Sequence, residues 1–136
     1  MNEKEKHSMN DTKNKPWHKD GNGILRFTGD RMLPDGVILQ VSATLSVDAN
    51  GISIAWEVEA VVDPDEIERR IATGHDKPTQ WLPPLKQSQH HTVSARILGV
   101  EKGSDLRQIK QDFETQSSAA GNIAISRARA AWGRQI

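Results

Sequence analysis

The sequence predicts an α+β fold: an antiparallel sheet of three or four strands, with two or three helices packed on one face. Three observations carry that reading. Two alternating apolar–polar runs, Val37–Val47 and Ile52–Ala60, flank an Asp48-Ala49-Asn50-Gly51 turn, which is the pattern of a long β-hairpin. An Asp63-Pro64-Asp65-Glu66 start follows, with proline and carboxylates where a helix N-terminus favours them. The last third of the chain then carries apolar residues at helical spacing.

Residues 1–22 are rich in Lys, Glu, Asn, Asp and His and hold almost nothing to bury, so they read as a disordered N-terminal tail. Residues 23–136 read as one domain. Gly23–Thr28 suggests a short first strand ended by Gly29-Asp30, and Leu33-Pro34-Asp35-Gly36 a turn. In the hairpin, Val37, Leu39, Val41, Ala43, Leu45 and Val47 share one face. Ile38, Gln40, Ser42, Thr44 and Ser46 share the other. The returning strand places Ile52, Ile54, Trp56, Val58 and Ala60 inward and Ser53, Glu57 and Glu59 outward.

The helix after Asp63 points Ile67 and Ile71 inward and stops at Gly74. Residues 75–89 form a loop, and His91–Val100 a further strand with Val93, Ala95 and Ile97 opposite Leu98 and Val100. Ser104-Asp105 opens a helix carrying Leu106, Ile109 and Phe113. Gln116–Ala119 suggests an interruption before a last helix ending at Gly133, whose small residues suit close packing and whose Ile125, Ala128 and Trp132 form one stripe.

Composition excludes more than it assigns. The 18 basic and 18 acidic residues balance, so no overall field favours a polyanion or a membrane surface. The charge is nevertheless unevenly spread. Residues 48–76 hold eight acids and two arginines, net −6, whereas residues 77–136 hold nine bases and four acids, net +5. With no cysteine there is no disulfide, thiol chemistry or cysteine metal site. No apolar run is long enough to span a bilayer and no signal-peptide core is present, which reads as a cytoplasmic protein.

Catalytic patterns are scarce. Glu57 and Glu59 are spaced for acid–base work, but any solvent-facing strand presents such a pair. His90 and His91 point to opposite faces of a strand, and with His75-Asp76 they form no recognised metal spacing. No nucleophile elbow or phosphate-binding glycine loop occurs, so no catalytic residue, metal or cofactor is assigned.

The leading functional reading is a small interaction or regulatory protein that docks a protein partner and self-associates, as a homodimer for example. Trp17 in the tail and Trp81, Pro83 and Pro84 in the loop are its candidate contacts. The alternative is a nucleic-acid-binding accessory protein, DNA included, using Lys102, Arg107, Lys110, Arg127, Arg129 and Arg134. An enzyme of unknown class is the third reading.

Overall fold

Asp48 and Gly51 close the hairpin around two loop residues. The positive φ that the turn requires falls on Gly51 (120°), where no side chain opposes it, and Asp48 Oδ1 accepts a 2.8 Å hydrogen bond from the Asn50 amide. From this turn the register runs without a slip to Ile38–Val61, so alternation places every apolar residue of the pair as the sequence predicts. A computed structural model describes residues 17–19, 25–74, 77–84 and 91–136.

The described elements are β1 (Trp17–Lys19), β2 (Leu25–Met32), β3 (Ile38–Asp48), β4 (Gly51–Val62), α1 (Pro64–Ala72), β5 (Val93–Gly103) and α2 (Leu106–Gln135). The strands form one antiparallel meander in chain order, β1-β2-β3-β4-β5. The sheet therefore has five strands where the sequence suggested three or four. The additional one, Trp17–Lys19, pairs with Leu25–Phe27 and lies within the stretch read as a tail. Residues 1–16 and 20–24 lie outside the described residues. β2 also continues through Gly29-Asp30 to Met32, because its ladder with β3 is uninterrupted across both residues.

The inner face of the sheet carries Val37, Ala43, Leu45, Ile54, Trp56, Val58, Ala60, Val62 and Val93, all buried. α2 covers it with Ile109, Phe113, Ala120, Gly121, Ala124, Ile125, Ala128 and Trp132. This helix is continuous for 30 residues, from the Asp105 cap, whose carboxylate accepts from the amides of Arg107 (2.9 Å) and Gln108 (3.5 Å), past Gly133. The break suggested at residues 116–119 is absent. Ser117, Ser118 and Gly121 are weaker helix formers than alanine, but Ala120, Gly121 and Ala124 let the helix lie close on the sheet, and that packing overrides the local preference. Leu106, grouped with Ile109 and Phe113 in the sequence, is instead exposed.

A methyl group added at Gly121 would meet Leu39 and Val58 at 3.6–3.7 Å, ordinary contact distances. G121A is expected to raise stability by about 0.5–1 kcal/mol, because alanine removes the entropic cost of a mid-helix glycine. Urea unfolding measures it as a higher midpoint at unchanged slope.

α1 lies on the other side, so the helices do not share one face as the sequence suggested. Ile67 and Ile71 meet Met32 and Ile38, and these two strand residues alternate away from α2. That explains why Ile38, in the polar phase of β3, is buried. Asp63 caps α1, accepting from the amides of Asp65 (3.1 Å) and Glu66 (3.4 Å), as its sequence indicates. Arg70 reaches back to Asp30 on β2 and to Glu66 (3.1 Å), fastening the helix to the sheet.

Candidate functional site

Alternation leaves the outer face of the sheet polar across its middle. Thr28 and Asp30 from β2, Gln40 and Ser42 from β3, and Glu57 and Glu59 from β4 line a shallow depression of about 390 Å³. The β4–β5 register sets Arg96 directly across from Glu59, and its Nε lies 3.0 Å from Glu57 and 3.6 Å from Glu59. The glutamate pair thus has a positioned partner that the spacing alone did not reveal. A guanidinium shared by two carboxylates on an open sheet is an ion-pair network; nothing in it aims a carboxylate at a substrate. At the other end of the depression Asp30 is bound to Arg70. The Arg70 pKa is raised by the Asp30 hydrogen bond, and the Glu66 carboxyl is held below its ordinary value by its hydrogen bond to Arg69.

Beside this network lies the apolar part of the outer face. Leu98 and Val100 occupy the polar phase of β5 and are 68% and 59% exposed. Ala55 on β4 sits across from Val100. β5 is the last strand of the sheet, so among the described residues the outer edge of its 11 residues has no strand neighbour. A long free edge carrying exposed apolar side chains is a template for pairing with another chain. The sequence places Leu98 and Val100 opposite Val93, Ala95 and Ile97. Only the topology shows that the strand carrying them is an edge.

The other proposed contact, the tryptophan-proline segment, runs along the turn before β3. The Gln80 amide donates to Pro34 O (2.6 Å), the Leu82 amide to Asp35 O (3.2 Å), and the Trp132 indole N–H to Pro83 O (2.7 Å). Trp81 remains 58% exposed at the rim of a cavity of about 370 Å³, whose wall includes Val62, Pro64, Ile67, Leu82 and Trp132. Pro84 also lines this cavity, whereas residues 85–90, including His90, lie outside the described residues, as do His75 and Asp76. Trp17 takes part in the fold. It packs on Phe27 and Phe113, with ring centroids 5.3 and 5.8 Å away, and Lys110 Nζ lies 5.6 Å from its ring.

The structure does not gather the basic residues. Lys102 is on the outer phase of β5, while Arg107 and Lys110 lie in the first turns of α2. Arg129 is tied to Asp35 at 2.5 Å. Arg127 and Arg134 lie roughly 25 Å or more along the helix from Lys110, by the 1.5 Å rise per residue, and on a different flank. Among the described residues no group of three His, Asp or Glu side chains is arranged to hold a metal ion, and His91 is bonded to Gln135. No described helix is long and apolar enough to cross a membrane. Comparison with protein families, with curated proteins and with solved structures gives no match.

Proposed function

We propose that this chain is a non-enzymatic docking protein that acts through protein–protein contacts and associates with itself. The observation that carries the reading is the free edge of β5 with Leu98 and Val100 standing exposed beside it. Exposed apolar residues on their own are ordinary, and so are free edges. Their coincidence on a long strand is what native sheets guard against unless the edge is used. Trp81, followed in the chain by Pro83 and Pro84, offers a second apolar contact at the rim of the cavity beside Val62 and Trp132. The outer-face carboxylates support docking over catalysis, because Arg96 and Arg70 already engage them.

Sedimentation equilibrium tests the reading directly. The expected result is a mass above 15.1 kDa that falls on dilution. L98K, on an exposed position, is expected to leave the circular dichroism unchanged and to weaken association roughly tenfold or more, since it places like charges in the contact. A protein that stays monomeric at every concentration overturns self-association.

A further inference from the structure

Resting on that docking reading, we infer that the partner of β5 is β5 of a second copy, paired antiparallel about a twofold axis at Leu98. The two sheets then join into one ten-stranded sheet. Three features of β5 select this register.

The first is apolar matching on the outer face. With Leu98 opposite its own copy, Val100 lies opposite Arg96 and Lys102 opposite Ser94, by counting outward from the axis. The two Leu98 and two Val100 side chains become a contiguous patch, extended by Ala55 of each copy. Arg96 keeps its glutamates, which reach it from β4, on the side away from the new edge.

The second is charge. Moving the axis one residue to Gly99 sets Arg96 directly against Lys102, a like-charge pair. Moving it to Ile97 sets Glu101 against Val93, which is buried in the core, and separates the leucines. Centring on Leu98 sets Glu101 against Ala95 and Ile97 against Gly99, so each larger residue on the inner face meets a small one.

The third is room for the helices. α2 lies over β4 and β5, and strands are spaced about 4.8 Å apart, so two copies of α2 would run antiparallel about 10–14 Å apart. That is at or beyond the 8–10 Å approach of packed helices, and the paired sheet closes without collision.

The absence of cysteine makes the register directly measurable. Directly opposed residues of antiparallel strands have Cα atoms about 4.5–5.5 Å apart, inside the disulfide range. L98C is therefore expected to form a covalent dimer under mild oxidation. R96C alone and V100C alone should not, because in this register each stands about 13 Å from its own copy. An equimolar mixture of R96C and V100C should bridge again. Sedimentation of the reduced proteins runs alongside. A dimer in which L98C fails to bridge, or in which R96C or V100C bridges alone, overturns the register and leaves docking intact. A reduced protein that stays monomeric, with no bridging in any variant, overturns both the register and self-association.

Discussion

G99A is expected to destabilise the protein by about 1–3 kcal/mol, the range of an overpacked core, although it adds a single methyl group to an edge strand. A Cβ built at Gly99 lies 2.1 Å from Cζ2 of Trp56 and 2.4 Å from Cε2, far closer than van der Waals contact with the indole ring allows. The β4–β5 register puts these two residues directly across from one another, and the ring crosses the strand where a side chain would otherwise stand. The ring cannot withdraw freely, because Phe113 packs against it with centroids 6.4 Å apart. Chemical denaturation of G99A measures the loss. W56F supplies the second arm, since a smaller ring vacates the volume that the new methyl needs. G99A should cost clearly less in the W56F background, with a coupling of about 1 kcal/mol or more. W56F itself should cost less than a buried truncation usually does. It removes an indole N–H that has no hydrogen-bond partner among the described residues, and such an orphan donor carries a penalty of about 1–3 kcal/mol. Additive costs would mean that glycine is tolerated at position 99 for its backbone and not for the space it leaves.

Features that depend on local chemistry were legible in the sequence. The hairpin register follows from period-two patterning and one glycine turn, and the start of α1 from Asp63 and Pro64. The inner phase of β5 follows from Val93, Ala95 and Ile97. What escaped depends on partners far away in the chain. Trp17–His18–Lys19 has no strand pattern of its own, and it becomes a strand because Leu25–Phe27 offers an edge and Phe113 a ring to lie on. Gln116–Ala119 suggests an interruption because the segment is polar and offers no apolar stripe of its own, while Phe113 before it and Ala120 and Ala124 after it hold the helix on the sheet. Ile38 stands on the outer face that alternation gives it, but alternation cannot say that α1 will cover that position. The candidate site shows the same division. The outer-phase glutamates could be named from the sequence, but Arg96 between them required the register. Leu98 and Val100 gained significance only once β5 proved to be the edge.

Phe113 is the residue on which those distant contacts converge, and F113A is expected to cost about 3–5 kcal/mol, the range for removing a buried phenylalanine. Its ring touches three other aromatics, Trp17 and Phe27 at 5.8 Å each and Trp56 at 6.4 Å, all edge-on. The side chain comes from the early turns of α2, and its partners come from β1, β2 and β4. One truncation therefore loosens the helix from nearly the full width of the sheet. β1 should feel it most, since its three described residues touch the core, among the described residues, through Trp17. Trp17 fluorescence, read in a W81F background to remove the most exposed indole, should shift to longer wavelength in F113A under conditions where the helix content is still native. W17A should cost much less than F113A in the native protein and still less once Phe113 is gone, with a coupling of about 0.5–1.5 kcal/mol. A loss near 1 kcal/mol for F113A, with Trp17 emission unchanged, would mean that β1 is held by its pairing with β2 and not by the ring cluster. The strand would then be a property of the sheet edge, and the first half of α2 would contribute little to holding it.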